Sequence, residues 1–390
     1  MFKQVDKITP VISPAQFDKP QIPELGILDA EVDDLVRTII ARNTFKVSGK
    51  GYTVAVLDTG LRTTHVDFKG RVPKQLNFTQ DNNGDPNDAL DGNGHGTNVG
   101  GIIVANGIHK GIAPGANIIP IKVLSNSGGG NFASVAKALD WILENHTKYN
   151  ITTVCMSLGD SGNYRSEGEL TNQGVLRNRI QLLRTKRIAV AIASGNDFFS
   201  HNSQQGMSYP AIIRECISVG AVYDANEGSF TYPSSGATAY STDKDRITPF
   251  SQRLHPTISL SNSTTIFAPG APVTSSGIDN DKGESIQHGT SQATPVTVGA
   301  IILIQELYQR HFKILPTIKE IESFLKRGAV TINDGDDEKD NVDNTGLDFP
   351  RLDIVGSLNS IIKSIRYSTF VQQKFNLPIT NSNSSIINEG

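Results

Sequence analysis

Short apolar runs alternate with stretches of helical periodicity from about Tyr52 onward. The runs show little polar alternation, which is typical of strands that are covered on both faces. The runs with strand character are Thr53–Leu57, Asn117–Leu124, Ile151–Met156, Arg187–Ala193, Cys216–Val222 and Thr264–Ala268. Because helical stretches separate them, the pattern predicts an α/β fold of three layers, with a mainly parallel central sheet flanked by helices.

Two helices stand out within this pattern. Apolar residues recur at helical spacing from Phe132 to Asn145, and Asn131 can cap the start. A second helix is predicted to begin near Ser291 and to run through GAIILIQELY. Pro295 falls in the first turn of this helix, where a missing N–H is tolerated. The pattern therefore places Ser291 at a helix N-terminus.

The two ends of the chain differ in composition from its centre. Residues 1–28 are polar and interrupted by prolines, which predicts an extended arm, and Ala30–Arg42 has one apolar side, which predicts a short helix. The polar stretches Glu227–Arg246 and Asn333–Asp343 are predicted to be surface insertions. The predicted division is an arm with its helix, a folded domain and a polar, disordered tail, at residues 1–42, 43–365 and 366–390.

Composition narrows the classes of function. The chain has 390 residues, 37% hydrophobic and 19% charged, and a formal net charge of −3. Both signs are mixed along it, so no basic surface for nucleic acid or a membrane is predicted. Cys155 and Cys216 lie in apolar runs and are predicted to be buried free thiols. The N-terminus carries no apolar signal sequence, which predicts a cytoplasmic protein; a secreted one, with its signal already removed, is the alternative.

Four residues could together hydrolyse an amide bond. A serine protease needs an alcohol, an imidazole as its base, a carboxylate that orients the imidazole, and donors for the oxyanion. Asp58 ends TVAVLD, His95 lies in DGNGHGT, Asn196 ends AIASGN and Ser291 lies in HGTSQATP. Each is predicted at a strand end or a helix start, where open parallel sheets place their sites. Singly, each is common as a turn or capping residue, but together they supply all four functions.

These blocks resemble the active-site blocks of the subtilase family of serine proteases. VAVLDTG surrounds Asp58, GHGTNVGG surrounds His95, ASGN ends at Asn196 and GTSQATP surrounds Ser291, within a resemblance that covers roughly Gly49–Ser357. The resemblance implies a subtilisin-like fold and an acyl-enzyme on Ser291. It implies that His95 takes the proton of Ser291 while Asp58 orients the imidazole. Asn196 and the Ser291 N–H would then hold the oxyanion.

Three further segments resemble the strands with which the family binds an extended substrate. They are Ser157, Leu158 and Gly159; Gly128, Gly129 and Gly130; and Ala193, Ser194 and Gly195. The resemblance implies main-chain pairing with the peptide. It also implies a pocket, between the first and third segments, that tolerates an apolar side chain.

Some residues depart from the family pattern. Asn98 stands where the family usually repeats a histidine, and Gln292 where methionine usually follows the nucleophile. We expect these two changes to alter packing or specificity without abolishing activity. The loop Val99–Pro114 looks short for the family's calcium site, although Asp67 resembles one of that site's carboxylates.

No cofactor is expected to be required for the chemistry, and no specific metal ligands are predicted. Acidic clusters rich enough in oxygen for a structural calcium ion are Asp81, Asp85, Asp88, Asp91 and Asp334–Asp343. Their spacing matches no full EF-type loop. We therefore predict solvated acidic loops at these positions.

The sequence thus predicts an endopeptidase that acts on extended polypeptides. One alternative is a protease that matures a single cognate precursor, with Glu227–Arg246 shaping its cleft. Another is a peptide-binding scaffold without activity, although such scaffolds usually lack a triad residue. Residues 1–28 are too few for an independently folding prodomain. We expect this arm to lie over the catalytic domain, across its cleft.

Overall fold

A nine-stranded sheet forms the centre of the protein. The computed structural model describes residues 7–10, 30–170, 174–233, 235–258 and 265–375. In these residues the helices are α1 Ala30–Val36, α2 Thr38–Phe45, α3 His95–Val104, α4 Phe132–Tyr149, α5 Gly174–Thr185, α6 Thr290–Phe312, α7 Ile318–Gly328 and α8 Ile354–Phe375. The strands are β1 Lys7–Pro10, β2 Thr53–Asp58, β3 Leu76–Asn77, β4 Asn117–Lys122, β5 Gly130–Asn131, β6 Ile151–Met156, β7 Leu158–Gly159, β8 Ala189–Ala193, β9 Ile217–Tyr223, β10 Phe230–Tyr232, β11 Ala237–Ser241, β12 Thr265–Ala271, β13 Val273–Ser276, β14 Glu284–Gln287, β15 Val330–Asn333, β16 Lys339–Asp340 and β17 Asp348–Arg351.

The order of strands explains why the site residues can meet. The central sheet runs β15-β17-β12-β9-β8-β6-β2-β4-β3, and every neighbouring pair is parallel except β15 with β17. The carboxyl ends of β2, β6 and β8 therefore lie along one edge of the sheet. This arrangement confirms the predicted three-layer α/β fold with a mainly parallel sheet.

Strand β2 shows why the strand runs lack a polar alternation. All six of its residues are buried. Val54 and Val56 pack in one hydrophobic cluster with residues of α3 and α6, while Ala55 and Leu57 pack in a second cluster with residues of α4 and α5. Because helices cover both faces, neither set of side chains is polar.

The predicted strands and the two central helices are confirmed, with differences at their ends. All six strands are present, and their ends differ from the predicted ones by at most three residues. Helix α4 begins at Phe132 as predicted and continues to Tyr149, and the side chain of Asn131 accepts the Ser134 N–H at 2.9 Å. Helix α6 begins at Thr290, one residue before Ser291.

The single helix predicted at Ala30–Arg42 was wrong. Arg37 adopts a left-handed conformation with φ 59°, which separates α1 from α2. Its guanidinium pairs with the carboxylate of Asp353 just before α8. A tertiary ion pair thus holds a backbone break that helical periodicity does not reveal.

The insertion Glu227–Arg246 contributes to the core and is not confined to the surface. Its strands β10 and β11 form an antiparallel pair, and Tyr232, Ala237 and Ala239 are buried in the same cluster as α6. The hydroxyl of Tyr232 lies 2.9 Å from that of Tyr223 on β9. The prediction of a simple surface insertion is therefore corrected.

The chain ends lie partly inside the described residues. Helix α8 continues to Phe375, past the predicted domain boundary at residue 365. The predictions for residues 1–6, 11–29 and 376–390 lie outside the described residues.

Cys155 and Cys216 are buried and free, as predicted. Among the described helices, none combines the length and apolarity that crossing a membrane requires.

A buried ion pair holds the second predicted insertion, Asn333–Asp343, to the domain. The guanidinium of Arg253 contacts the carboxylate of Asp334 through two hydrogen bonds of 3.1 and 2.8 Å, and both side chains are fully buried. Arg253 also stacks on the ring of Phe198. Burial would raise the pKa of Asp334, but Arg253 and hydrogen bonds from Thr345 hold it below its usual value. The predicted solvated loop was wrong at Asp334.

Replacing Asp334 with Asn should strongly destabilise the fold. The change leaves the Arg253 charge buried without its partner, which typically costs about 3–5 kcal/mol. Urea unfolding at neutral pH, compared with the unsubstituted protein, measures this cost. Asp336→Asn, at an exposed carboxylate of the same segment, is the matched control and should change stability by less than about 0.5 kcal/mol.

The same ion pair predicts a pH dependence of stability. Because the pKa of Asp334 is lower in the folded state, its ionised carboxylate stabilises the fold fully at pH values above the unfolded-state pKa of about 3.9. This stabilisation is lost as the pH falls through the folded-state pKa. The free energy of unfolding should therefore fall more steeply below pH 4 in the unsubstituted protein than in Asp334→Asn. Parallel slopes for the two proteins would contradict the assignment.

Candidate active site

Asp58 and His95 form a buried hydrogen-bonded pair. Asp58 is the last residue of β2, and His95 is the first residue of α3. Nδ1 of His95 lies 2.7 Å from Oδ1 of Asp58, which also accepts the Thr59 N–H at 2.7 Å. An ionised carboxylate at this distance holds the ring proton on Nδ1, so Nε2 becomes the basic nitrogen. Nε2 is buried and has no hydrogen-bond partner among the described residues.

The carboxylate of Asp91 links the residue that follows Asp58 to the residues around His95. Its Oδ1 accepts the Thr59 hydroxyl and the N–H groups of Asn93 and Gly94, each at 2.9 Å. Its Oδ2 accepts the N–H and hydroxyl of Thr97 at 2.9 and 2.7 Å. Asp91 thus ties the residue after Asp58 to the first turn of α3. Asp91 is buried, so the prediction of a solvated acidic loop was wrong there.

The role of Asp91 in the site was not predicted from the sequence. Its only local signal is its place in DGNGHGT, four residues before His95, where a turn-forming carboxylate can accept N–H groups from the residues that follow.

Ser291 lies in the first turn of α6, beside the end of β6. Its hydroxyl donates to the Ser157 carbonyl at 3.3 Å, and its own carbonyl accepts the Ser157 hydroxyl at 2.8 Å. The first turn of α6 is well capped, because the Thr290 N–H donates to Oδ1 of Asn196 and the N–H groups of Gln292 and Ala293 donate to the Gly289 carbonyl. The N-terminal end of a helix dipole favours a negative charge placed beside it. Ser291 therefore combines a nucleophilic hydroxyl with an N-terminal helix dipole.

Asn196 faces this first turn from the end of β8. Its Oδ1 accepts both the N–H and the hydroxyl of Thr290, at 3.0 and 2.9 Å. These two bonds fix the amide orientation, so Nδ2 points the other way. Nδ2 is buried without a hydrogen-bond partner among the described residues. A buried amide donor of this kind beside a serine can serve an oxyanion.

The two residues that depart from the family pattern contact each other. Nε2 of Gln292 lies 3.2 Å from Oδ1 of Asn98 and 3.0 Å from Oε1 of Gln287. Nδ2 of Asn98 in turn donates to the carbonyl and hydroxyl oxygens of Ser285, both at 3.0 Å. Asn98 and Gln292 are fully buried. Their contact joins α3, which begins at His95, to α6, which carries Ser291.

The predicted substrate segments lie at the same edge of the sheet. Leu158–Gly159 form β7 and Gly130 belongs to β5, while Gly128 and Gly129 lie in the turn before it. Ala193 ends β8, and Ser194 and Gly195 lead to Asn196. Gly195 has φ 120°, and a Cβ there would meet the side-chain amide of Gln252, so only glycine fits this position.

Strand β1 of the arm lies between two of these segments. Lys7 and Ile8 pair with Asn131 and Gly130 of β5, and Thr9 and Pro10 pair with Gly159 and Leu158 of β7. Both pairings are antiparallel. β1 is therefore the middle strand of a three-stranded sheet at the edge where Ser291 lies.

Cys155 is not a competing nucleophile. It lies on β6, and its sulfur is 3.9 Å from the Ser157 hydroxyl. Burial raises the pKa of the Cys155 thiol far above its usual range. The reactive thiolate is therefore scarce at neutral pH.

The surroundings of Asp67 do not suit calcium. Oδ2 of Asp67 lies 2.7 Å from Nδ1 of His109 and 2.7 Å from the hydroxyl of Ser276, while Oδ1 accepts the N–H groups of Ile108 and His109. Calcium takes six to eight oxygen ligands. The imidazole nitrogen at the centre of this cluster is a poor calcium ligand.

Substitution of Asn98 and Gln292 should reveal energetic coupling between the two helices. Each of Asn98→Ala and Gln292→Met removes the buried hydrogen bond between the two amides and leaves the remaining amide one partner short, at a cost of about 1–3 kcal/mol. The double variant should therefore lose less stability than the sum of the single losses, by about 0.5 kcal/mol or more. Unfolding free energies of all four proteins measure this coupling, and strictly additive losses would contradict it.

Comparisons with known proteins identify the family of the chain. The subtilase family model matches residues 49–349. Serine protease AprX of Bacillus subtilis (strain 168) is 30% identical over 332 residues, which cover 80% of this chain and 68% of AprX. The major intracellular serine protease of the same strain is 30% identical over 321 residues, covering 80% of this chain and 88% of that protein.

An intracellular serine protease of Paenibacillus polymyxa is 29% identical over 289 residues, which cover 73% of this chain and 76% of that protein. The family match spans well over half of the chain, and it includes Asp58, His95, Asn196 and Ser291. The chain therefore belongs to the subtilase family, as a subtilisin-like serine endopeptidase.

Proposed function

We propose that this protein hydrolyses peptide bonds of extended polypeptides through an acyl-enzyme on Ser291. The observation that carries the proposal is the buried His95–Asp58 pair of 2.7 Å, whose outer nitrogen Nε2 has no partner among the described residues. A buried basic nitrogen is costly to leave unpaired. Such a group is well suited to accept a proton from a serine during catalysis.

In the first step, Nε2 of His95 takes the proton of Ser291 as Oγ attacks the carbonyl carbon of the substrate. Oγ must leave its 3.3 Å hydrogen bond with the Ser157 carbonyl, which is a weak contact. Asp58 stabilises the imidazolium that forms and keeps the ring in place. No cofactor takes part in this step.

The tetrahedral intermediate carries a negative charge on the former carbonyl oxygen. Nδ2 of Asn196 and the N–H of Ser291 would donate to it. Nδ2 needs no reorientation, because Thr290 already holds the opposite end of the amide. Donors that are fixed before the reaction stabilise charge without a reorganisation cost.

Three proton transfers complete the reaction. His95 gives its proton to the leaving amine, the C–N bond breaks, and the acyl group stays on Ser291 as an ester. A water molecule then attacks the ester while Nε2 takes its proton, and the proton finally returns to Ser291 as the acid product leaves.

We further propose that the substrate takes the place of β1 between β5 and β7. An extended peptide there would gain main-chain hydrogen bonds on both sides, in the manner of an added strand. The antiparallel pairing of β1 with both strands supports this, because it supplies the backbone partners that a peptide needs. The arm would then act as an intramolecular competitor of the substrate.

The proposal also covers the cellular compartment in which the protein acts and the range of sequences that it cleaves. The names of two relatives contain the word intracellular, and both cysteines are free thiols, which together support action in a reducing compartment. We propose broad specificity, since main-chain pairing does not depend on sequence. Cleavage of a peptide library at many different sequences would support this, and cleavage of a single motif would favour a maturation protease.

Replacing Ser291 with Ala should remove activity while leaving the fold intact. The hydroxyl's hydrogen bond to the Ser157 carbonyl is long, at 3.3 Å, and alanine keeps the helix, so the fold should persist while peptide turnover falls by several orders of magnitude. Labelling by a fluorophosphonate probe gives a second measure. Ser229→Ala, at an exposed serine, is the control and should keep full activity and labelling.

Absence of labelling in correctly folded, unsubstituted protein, together with no turnover, would overturn the proposed function. Asn196→Ala tests the oxyanion role separately. It should lower kcat about 10²–10³-fold with little change in KM, because the contact forms only in the transition state. An unchanged kcat would remove Asn196 from the mechanism.

Deleting residues 1–28 should raise the activity towards short peptide substrates. The deletion removes β1 and frees the backbone groups of β5 and β7. The main expected change is a lower apparent KM, since the arm and the substrate compete for the same strands. Initial rates over a range of substrate concentrations measure this.

A synthetic peptide of residues 1–28 should inhibit the deleted protein competitively. A peptide in which Lys7–Pro10 are replaced by glycines is the matched control and should inhibit much less. Equal rates with and without the arm, at equal stability, would contradict its place in the cleft without affecting the proposed chemistry.

A further inference from the structure

A buried cluster of two histidines and an aspartate lies outside the catalytic triad. His65 and Asp67 lie at a short 3-10 helix, Val66–Phe68, in the segment between β2 and β3, and His109 lies in the loop between α3 and β4. Their side chains are almost completely buried. One ligand atom from each lies within 4.8 Å of the others. The proposed peptidase mechanism uses none of these three residues.

The inner atoms of the cluster are close to the spacing of a tetrahedral metal site. Nδ1 of His65 lies 3.3 Å, and Nδ1 of His109 lies 2.7 Å, from Oδ2 of Asp67. Zinc bonds of about 2.0–2.2 Å at tetrahedral angles place ligand atoms about 3.3–3.5 Å apart. The first pair already has this separation. The second requires a shift of His109 by roughly half an ångström.

The outer atoms of all three residues are held as they are in metal sites. Nε2 of His65 lies 2.9 Å from the Gly283 carbonyl, and Nε2 of His109 lies 3.1 Å from Oε2 of Glu284. Histidines that bind metals almost always donate their second N–H to a carbonyl or a carboxylate in this way. Oδ1 of Asp67 accepts two backbone N–H groups, so Oδ2 is the oxygen that faces the histidines.

We propose that His65, Asp67 and His109 form a binding site for a divalent transition-metal ion, with Zn²⁺ the ion that fits best. Two imidazole nitrogens and one carboxylate oxygen are a donor set that zinc prefers. The hydroxyl of Ser276, which lies 2.7 Å from Oδ2 of Asp67, or a water molecule would complete four-coordination.

Metal binding would exchange existing hydrogen bonds for coordination bonds. Nδ1 of His65 now accepts the Asp67 N–H at 3.1 Å, and Nδ1 of His109 is hydrogen-bonded to Asp67. The ion would replace both contacts and displace the proton from Nδ1 of His109, as metals do when they bind imidazole. The free energy gained from coordination must exceed the free energy lost with these two hydrogen bonds.

The site would be structural and would join three segments of the chain. These are the segment between β2 and β3, the loop after α3 and the β13–β14 hairpin, which supplies Ser276, Gly283 and Glu284. The hairpin leads directly into the first turn of α6. An ion here would therefore stabilise the hairpin that precedes Ser291 without contacting the substrate.

The test uses the full-length Ser291→Ala protein, which cannot digest itself, after treatment with a chelator. Titration with Zn²⁺ in a calorimeter should show one ion per chain, and Zn²⁺ should raise Tm by several degrees. Ca²⁺ at the same concentrations should not raise Tm. Co²⁺ should give the visible absorption of a four-coordinate complex, which Zn²⁺ then abolishes.

Variants locate the ion. His109→Gln in the same background should weaken zinc binding at least tenfold and remove the rise in Tm, while His311→Gln, at an exposed histidine, should change neither. If His109→Gln fails to fold, the cobalt spectrum of the parent protein still decides the question. No saturable zinc binding, equal affinity in both variants, or a cobalt spectrum of an all-oxygen octahedral complex would overturn the proposal.

Discussion

The active site depends on one buried carboxylate that lies outside the catalytic triad. Asp91 accepts five hydrogen bonds from groups on both sides of the His95–Asp58 pair. A carboxylate in the interior is tolerated only when donors surround it, so the loop from Thr59 to Thr97 has little freedom to adopt another shape. That restriction sets the angle at which α3 leaves the loop. It thereby fixes the imidazole against Asp58 before any substrate binds.

The sequence predicted most of the sheet and all four residues of the proposed reaction, for a shared physical reason. Strands that are covered on both faces are apolar throughout, and residues at their carboxyl ends must reach one edge of the sheet. Asp58 and Asn196 were placed from this rule, and Ser291 from the apolar helix that follows it. These features are local in the sequence, so periodicity reveals them.

The features that the sequence did not reveal depend on partners that are distant along the chain. Asp334 looks like part of a solvated acidic loop because its partner Arg253 lies 81 residues away. Asn98 and Gln292 look like two separate departures from a family pattern, although they lie 194 residues apart and touch. The break at Arg37 likewise depends on Asp353, 316 residues away. Burial and pairing of polar groups are tertiary properties, which local periodicity cannot report.

The short strands β5 and β7 have a consequence for the behaviour of the protein in concentrated solution. A cleft that binds peptides through main-chain groups exposes unpaired sheet edges, and such edges also promote association between protein molecules. Each of these strands is only two residues long, which limits how far a foreign strand can extend. With β1 paired to both, the edges are covered within a single molecule. While β1 is in place, these two proposed substrate strands are therefore not open to a strand of another molecule on the side that β1 occupies.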